Sequence, residues 1–431
     1  MSGLIVALSG ASCSNTDAAQ RRALRRLVGP GLLVAVGYID PGNWATGIAG
    51  GSGYGYGLLS VVLAAALLAM GFQVLVARLA LATGQDLAAL TARYLPRPLA
   101  RAAWLAGEGA ILATALAELI GGAIALRLLF GLPLAAGVAA TALGTLAVML
   151  LAGRAGRGMP LHERVIAVLL GVVAFSFVYL LAAASPDWGA VAAGAAEPGR
   201  ALRDPAGFMI ALGILGATLM PHNLYLHSGE LAERGRELAD RERPLAMRLA
   251  RNDTALSLGV AMAINAAIMI VAAASLTGVG AAVSSLDEAH AAIGRTLGAG
   301  AALVFAVALY AAGQSSAITG VMAGRILSQG FRRRAGSAGA RALFTRIVAG
   351  SVAVALLGMT GGQDPDALLV LSQVVLSLAL PFALVPLVWL ALRRDVMGAQ
   401  VLRGAPAAAA VAATALIVVL DAVLLADVLL G

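Results

Sequence analysis

One stretch decides the fold: Tyr38-Ile39-Asp40-Pro41-Gly42-Asn43-Trp44, within an apolar run from about residue 28 to residue 51. The run is long enough to cross the hydrocarbon core of a membrane, which takes about 20 apolar residues. A proline and a glycine at that depth predict a broken helix, because unpaired backbone groups inside a bilayer persist only where they line a cavity enclosed by protein. The carbonyls of Gly37 and its neighbours are then free to bind a ligand.

Two polar side chains lie at the same break. Asp40 contributes a negatively charged oxygen and Asn43 a neutral one. An ionisable side chain inside a spanning segment is costly, so its presence indicates a functional site. Together with the free carbonyls, these oxygens predict a small cation site near the middle of the membrane.

The composition indicates that the whole chain lies in a membrane. Of its 431 residues, 60% are hydrophobic and 12% are charged, and the mean hydropathy is +0.90, whereas about a quarter of the residues in soluble domains are charged. We therefore expect an all-α integral membrane protein. The single cysteine, Cys13, excludes an internal disulfide and a cysteine metal site. A glycine-rich phosphate loop, which would indicate an ATP-driven pump, is absent from the sequence.

Eleven apolar segments are long enough to span the membrane. They lie near residues 28–51, 57–82, 101–126, 133–152, 163–184, 207–229, 252–276, 299–325, 344–360, 366–391 and 404–428. Residues 1–27 lack the basic start of a signal peptide, so we expect them to form a disordered cytoplasmic tail.

The arginines predict the orientation in the membrane. All 30 basic residues are arginine; alternating the loops between the two sides places 25 on one side and four on the other, and Arg78 lies inside the second segment. Because arginine-rich loops stay in the cytoplasm, the N-terminus is predicted inside and the C-terminus outside. The net charge of +8 then reflects this orientation, not nucleic-acid binding. Without eukaryotic targeting signals, the expected location is the inner (plasma) membrane of a bacterium.

The two halves of the chain contain matching breaks. The sixth segment is interrupted by Met220-Pro221-His222-Asn223, and each interrupted segment opens a set of five. Five is odd, so the second set, residues 207–391, must be inverted relative to the first set, residues 28–184, while residues 404–428 lie outside the repeat. Interrupted segments at matching positions of two inverted halves indicate the substrate site of a transporter.

Met220 adds a soft ligand to this site. Pro221 leaves the carbonyl of Ala217 without its helical donor, and the Met220 thioether precedes the break by one residue. Oxygen ligands alone suit Mg²⁺ and Ca²⁺, whereas a thioether favours transition metals such as Mn²⁺ and Fe²⁺. The alternative interpretation is that Met220 only fills a gap in the packing.

These motifs resemble the signatures of the Nramp family, proton-coupled transporters of divalent metals whose bacterial members favour manganese. The resemblance extends from about residue 28 to residue 403 and includes Tyr54-Gly55-Tyr56-Gly57, Leu371-Ser372-Gln373-Val374 and Arg393-Arg394-Asp395-Val396-Met397-Gly398. It implies a LeuT-type fold, here with 5+5 inverted repeats and 11 transmembrane helices of which the first and sixth are broken. The residues that it implies as metal ligands are Asp40, Asn43, Met220 and the Ala217 carbonyl, joined in some states by the Gly37 carbonyl and Gln373.

Four residues are candidates for a proton pathway. Glu108 and Glu118 lie in the third segment, His222 follows the second break, and His227 lies five residues further along. Carboxyl groups buried in a membrane and imidazole groups can both exchange protons. The alternative is structural: carboxylates bonded to a neighbouring helix, and histidines that pack or satisfy freed backbone groups.

The sequence departs from the family near these candidates. Family members commonly have an aspartate, associated with proton movement, three residues before the glutamate of the third helix, and this chain has Ala115 there. We therefore expect the metal site to be intact and proton coupling to be altered. The ninth segment also lacks the paired arginines of many bacterial members, although Arg341 and Arg346 lie nearby.

Other charged residues have simpler interpretations. Asp421 and Asp427 lie in the last segment, outside the repeat, and are expected to face water or a partner. The charged region 230–251 is expected to form a solvated loop helix with ion pairs four residues apart.

We therefore predict a monomeric secondary transporter in the lipid bilayer that imports Mn²⁺, Fe²⁺ or similar ions such as Cd²⁺ by alternating access. Protons are the expected coupling ion, and no enzymatic step or cofactor is implied. Three alternatives remain. A sodium-coupled amino-acid symporter would bind a substrate carboxylate that Asp40 repels. A metal sensor would need an output domain, for which the loops are too short. A Mg²⁺ transporter is disfavoured by Met220.

Overall fold

The computed structural model describes residues 27, 29–152, 161–197, 201–236, 238–277, 283, 285–332, 338–359 and 365–430. The predicted tail, apart from Leu27, and the arginines at positions 154, 157, 200, 333 and 334 lie outside this part of the chain. Apart from three short 3-10 turns, the regular elements within it are α-helices. They are α1 (Pro30–Gly37), α2 (Pro41–Tyr54), α3 (Leu59–Thr83), α4 (Leu87–Tyr94), α5 (Arg97–Phe130), α6 (Leu134–Ala152), α7 (Leu161–Ala184), α8 (Trp188–Ala196), α9 (Pro205–Thr218), α10 (Pro221–Gly235), α11 (Arg243–Leu276), α12 (Leu286–Leu297), α13 (Ala299–Arg332), α14 (Ala338–Met359), α15 (Pro365–Ala379), α16 (Pro381–Leu392), α17 (Arg394–Met397) and α18 (Ala405–Leu430).

Nine helical stretches of the described chain are long and apolar enough to cross a membrane. They are Leu59–Thr83, Arg97–Phe130, Leu134–Leu151, Leu161–Ala184, Pro205–Gly235, Arg243–Leu276, Ala299–Phe331, Pro365–Leu392 and Ala405–Ala426. The first predicted segment consists of the short helices α1 and α2, and the ninth corresponds to a shorter apolar stretch, Leu343–Met359. The all-helical membrane fold is thereby confirmed, and the number of eleven crossings stays a prediction.

The outer helices expose large apolar side chains. Leu143 on α6, Phe175 on α7 and Val419 on α18 are each more than half exposed. Exposed apolar faces of this kind are typical of surfaces that meet a membrane or another protein. They agree with the length and hydropathy of these helices, which are sufficient to cross a membrane.

Two long helices form the centre of the bundle. The helices α5 and α13, each 34 residues long, pack along each other. α5 also packs against α15, and α11 packs against both α1 and α2. A Cβ atom built at Gly121 of α5 would lie 2.3 Å from Cγ of Pro41, so the broken first segment rests directly on the backbone of α5.

The two breaks are built in the same way. α1 ends at Gly37 and α2 begins at Pro41, while α9 ends at Thr218 and α10 begins at Pro221. In each case a proline opens the second helix, where its missing N–H would have no helical partner anyway. The residue before each proline is the N-cap, which places Asp40 and Met220 at equivalent positions of the two halves.

Side chains satisfy the carbonyls that the first break exposes. Trp44 Nε1 donates to the Ile39 carbonyl at 3.2 Å, and Asn265 Nδ2 of α11 donates to the Tyr38 carbonyl at 2.7 Å. The Trp44 ring also makes edge contacts with Phe177 and Phe305, at centroid distances of 5.0 and 5.3 Å. The break is therefore a packed element of the fold, as the absence of water inside a bilayer requires.

The charged region 230–251 differs from its prediction. It contains the ends of α10 and α11 and not a separate loop helix, because Leu231 and Ala246 join an apolar cluster with Leu27. Arg234 pairs with Glu230 four residues earlier, as expected, and also with Glu163 of α7 at 2.6 Å.

Asp421 also differs from its prediction. It is only 7% exposed, and its Oδ1 accepts a hydrogen bond from the hydroxyl of Ser377 on α15. The reason is that α18 packs against α9, α15 and α16, so one face of this last helix is buried. The side chain of Asp427 lies outside the described part of the structure.

The contact between Pro41 and α5 can be tested with a substitution at Gly121. Gly121→Val places atoms on Pro41, and overpacking of this kind costs about 1–3 kcal/mol of stability. Gly109→Val is the matched control, since a Cβ at Gly109 on the same helix meets nothing within 4 Å. In detergent we expect a lower midpoint of thermal unfolding for Gly121→Val than for the control. Equal midpoints would contradict the packing described.

Candidate metal site

Asp40, Asn43 and Ala217 form the polar contact between the two breaks. Asp40 Oδ1 accepts hydrogen bonds from the backbone N–H of Asn43 at 3.0 Å and from its Nδ2 at 2.8 Å. The same Nδ2 lies 3.0 Å from the Ala217 carbonyl, and Thr218 Oγ1 lies 3.3 Å from Asn43 Oδ1. The structure thus brings three of the predicted ligands together.

Three buried oxygens around the breaks have no hydrogen-bond partner among the described residues. They are Asp40 Oδ2, Asn223 Oδ1 and Gln373 Oε1. A Cβ built at Gly42 would lie 1.9 Å from Gln373 Nε2, and one built at Gly37 would lie 2.4 Å from Asn223 Nδ2, so both amides lie directly on the first break. An unpaired buried acceptor costs about 1–3 kcal/mol. All three belong to residues at the two breaks or packed against them, so these breaks contain oxygens that are available to a ligand.

Asn223 was missed among the candidates from the sequence. Its Nδ2 lies 3.6 Å from the sulfur of Met220, and it is fully buried. The signal was present, because Asn43 and Asn223 occupy the same position in the two motifs, three residues after the N-cap and two after the proline. Comparing Asp-Pro-Gly-Asn with Met-Pro-His-Asn position by position would have identified it.

The remaining predicted ligands also lie at the breaks. Gly37 ends α1, and its carbonyl has no helical donor because Pro41 occupies the fourth position after it. Within the described residues, His, Cys, Asp and Glu side chains do not come together in threes as a metal site. The donor set therefore combines one carboxylate with amide and carbonyl oxygens and a thioether. Its single negative charge favours a cation over an anion as the ligand.

The site is closed to solvent in this conformation. Asp40 is 0% exposed and Met220 is 1% exposed. An ion can therefore enter or leave only when helices around the site move apart. This is the requirement for alternating access.

Two of the proton-pathway candidates lie near each other on α5 and α10. His222 Nδ1 lies 3.1 Å from Thr114 Oγ1, one turn before Glu118 on α5. Glu118 Oε2 accepts from Arg346 of α14 at 2.9 Å, and both side chains are buried. Arg346 also donates to the Ala317 carbonyl at 2.5 Å. Ala115 is buried next to Thr114.

Glu108 lies away from the metal site. It is ten residues from Glu118, which is about 15 Å along a helix, and it pairs with Arg341 of α14 and with Trp104 Nε1 at 3.0 Å. The two arginines noted near the ninth segment thus pair with the two carboxylates of α5, Arg341 with Glu108 and Arg346 with Glu118.

His227 belongs to a different polar chain. Its Nδ1 lies 2.9 Å from Gln73 Oε1 on α3, and Gln73 Nε2 donates to Tyr38 Oη at 2.9 Å. Its Nε2 is buried and has no partner among the described residues. His222 and Glu118 are therefore the two candidates that lie close together: His222 contacts Thr114, and Thr114 lies one helical turn before Glu118 on α5.

The buried ion pair generates a stability prediction. Arg346→Gln leaves Glu118 unpaired inside the membrane and should destabilise the protein by about 3–5 kcal/mol, and the double variant Glu118→Gln/Arg346→Gln should recover most of this loss. Arg341→Gln is the control, because its pair with Glu108 is partly exposed and should be worth about 1 kcal/mol or less. Thermal unfolding in detergent measures all three. A double variant as unstable as Arg346→Gln would show that the charge pairing is not the cause.

Two broken helices that meet at a buried polar centre within a membrane bundle define a transporter built from inverted repeats. The family model described as "Natural resistance-associated macrophage protein-like" (Nramp) matches residues 31–427. A divalent metal cation transporter MntH of Brucella suis is 46% identical over 95% of this chain and 90% of its own length. The chain therefore belongs to the Nramp family.

Solved structures agree with this fold. A crystal structure of a mutant of the Eremococcus coleocola manganese transporter matches with a TM-score of 0.84 and 32% identity, covering 97% of this chain and 89% of that chain. A crystal structure of MhsT in complex with L-phenylalanine matches with a TM-score of 0.56 and 18% identity, covering 91% of this chain and 98% of that chain. The second likeness shows the fold alone. The predicted LeuT-type fold is confirmed, and membership of a transporter family confirms that the protein is not an enzyme.

Proposed function

We propose that this transporter imports divalent transition metal ions, Mn²⁺ and Fe²⁺ or similar ions, by alternating access, with protons as the coupling ion. The observation that carries the proposal is the set of unpaired buried oxygens of Asp40, Asn223 and Gln373 beside the Met220 thioether. Relatives named as a divalent metal cation transporter and a manganese transporter support the same class of substrate.

The ion is held by Asp40, Asn43, Met220 and the Ala217 carbonyl, joined in some conformations by the Gly37 carbonyl and Gln373. Asn43 Nδ2 now lies against both Asp40 and the Ala217 carbonyl. Binding therefore requires the Asn43 amide to turn, so that its oxygen faces the ion and the Ala217 carbonyl becomes available. The bound cation then replaces the hydrogen bonds that join the two breaks in this conformation.

The orientation of the chain in the membrane is inferred from the arginine distribution, and import is proposed with it. We place the N-terminus in the cytoplasm and the C-terminus outside, in the inner membrane of a bacterium, with the transporter acting as a monomer. Import then carries the ion from the side with four arginines to the side with 25.

Proton coupling is proposed to be altered in this chain. Ala115 lies three residues before Glu118, at the position where family members commonly have an aspartate, and it provides no carboxylate there. The groups that remain are Glu118, His222 and, further along α5, Glu108. Glu118 is paired with Arg346, so proton uptake by Glu118 requires this pair to open. The contact of His222 with Thr114 links the second break to the same helix.

Met220 is expected to set the selectivity. In proteoliposomes the native chain should take up Mn²⁺ and exclude Ca²⁺ and Mg²⁺, and Met220→Ala should reduce this preference by about tenfold, equivalent to roughly 1.4 kcal/mol. Met269→Ala removes an equally buried methionine of α11 and is the control for packing alone. If both variants keep the native preference, Met220 is a packing residue. If the native chain admits neither Mn²⁺ nor Fe²⁺ under any pH gradient, the transport proposal is wrong and a binding-only sensor is favoured.

Glu118 is expected to carry most of the remaining proton coupling. With a pH dye inside the vesicles, Glu118→Gln should lower the number of protons that enter per metal ion, because the substitution removes the buried carboxylate closest along α5 to Thr114 and His222. Glu197→Gln, at an exposed position outside the bundle, should leave the ratio unchanged. Tight metal-linked proton influx that Glu118→Gln does not reduce would contradict the altered coupling.

A further inference from the structure

The carboxyl group of Asp421 on α18 has no role in the site described above. It is the only charged residue in the first 22 positions of this helix, and a carboxyl group inside a spanning helix is costly unless it serves a function. Its Oδ1 accepts a hydrogen bond from Ser377, whereas its Oδ2 is buried and has no partner among the described residues.

A small cavity of about 10 Å³, with room for one water molecule at most, lies beside this pair, between α9, α15 and α18. Apart from Asp421, Ser377 and Gly216, its lining is aliphatic. The aliphatic side chains include Leu212, Leu215, Leu219, Ile417, Leu420 and Leu424. Asp421 therefore borders a small cavity whose walls are almost entirely apolar.

The helices packed against α18 supply no positive charge to Asp421. α9 and α16 contain no charged residue, and the only one in α15 is Asp366, eleven positions from Ser377. α3 contains one charged residue, Arg78, whose guanidinium donates to the Gln400 carbonyl at 2.9 Å. The other acid of α18, Asp427, lies six positions further along. An ionised Asp421 would therefore be a buried charge without a partner.

We propose that Asp421 and Ser377 form a proton-binding site on the last helix, outside the inverted repeat. In the closed arrangement seen here, Asp421 Oδ2 holds a proton and Ser377 donates to Oδ1, because a neutral acid is far less costly than an isolated carboxylate in an apolar cavity. When α15 and α18 separate, this proton exchanges with water, and the two sides of the membrane gain or lose it according to which of them the cavity then faces.

The position of Ser377 connects this site to the metal site. Ser377 lies one helical turn after Gln373, whose amide covers Gly42 at the first break. A Cβ built at Gly216, the neighbour of Ala217, would lie 3.1 Å from Cβ of Ser377. A movement of α15 that opens the cavity at Asp421 therefore also displaces Gln373 relative to the first break. This step rests on the proposed transport function, whereas the protonation of Asp421 does not.

Asp421→Asn tests the site in the full-length chain, because asparagine keeps the size of the side chain and can still accept from Ser377. We expect the infrared spectrum of the purified protein at neutral pH to contain a carboxylic acid band that Asp421→Asn removes. In proteoliposomes the variant should bind Mn²⁺ within about twofold of the native affinity, with a flatter pH dependence of uptake and at least a twofold lower proton flux per metal ion. Glu197→Gln should change none of these quantities.

The outcomes separate this proposal from the transport proposal. If the acid band is absent from the native protein or unchanged in Asp421→Asn, the proton site is overturned, whatever transport shows. If the band behaves as expected but the pH profile stays native, Asp421 is a structural acid and its link to transport is overturned. If the native chain transports no metal, the transport function fails while the infrared result still decides the site. Should Asp421→Asn not fold, Ser377→Ala replaces it, with a shifted pH midpoint of the same band as the expected result.

Discussion

The structure depends on two prolines that prevent a membrane helix from closing its own hydrogen bonds. Pro41 and Pro221 each leave a carbonyl four residues earlier, on Gly37 and Ala217, without a helical donor. In lipid such groups must be satisfied by protein or by a ligand. The surrounding residues meet this requirement at the first break. Trp44 and Asn265 donate hydrogen bonds to its exposed carbonyls, and Gly121, without a side chain, allows Pro41 to lie against α5.

The two carboxylates near the breaks, Asp40 and Glu118, differ in whether an arginine pairs with them. Asp40 is the one carboxylate at the metal site, and the nearby acid of α5, Glu118, is neutralised by Arg346. Leaving Asp40 without a cationic partner makes it available to a divalent ion. Pairing Glu118 prevents a second uncompensated negative charge close to the first, which would favour tight retention of any cation. The ion pair therefore leaves Asp40 as the unpaired carboxylate at the first break.

Much of the fold follows from the sequence because the bilayer imposes length and polarity on every spanning helix. The apolar segments predicted near 57–82 and 163–184 agree with α3 and α7 within a few residues. The short helices α4 and α12 were not predicted, because they lie in polar connections where no such constraint applies. Asp40 and Met220 were singled out as candidates from the breaks in their own segments, since a disrupted pattern is visible in one segment, and their role as ligands stays a prediction.

Contacts between distant segments could not be predicted from the sequence. The pairing of Arg346 with Glu118 joins residues 228 positions apart, and nothing in either segment specifies the other. Asp421 was expected to face water or a partner because its helix lies outside the repeat, whereas its burial depends on how α18 packs against α15. Asn223 is a different case. Its equivalence to Asn43 can be recognised in the sequence, but its contact with Gly37 is visible only in the structure.

The equivalent placement of Asp40 and Met220 has a consequence for recognition. The scaffold is an inverted repeat, yet one half presents a hard ligand at its helix cap and the other half a soft one. An ion that bonds well to both caps links the two halves, while an ion that bonds only to oxygen stays attached to one half. Under the proposed function, discrimination between metals would therefore act on the joining of the two halves, and an ion of the wrong kind would be rejected by failing to join them even after it has bound.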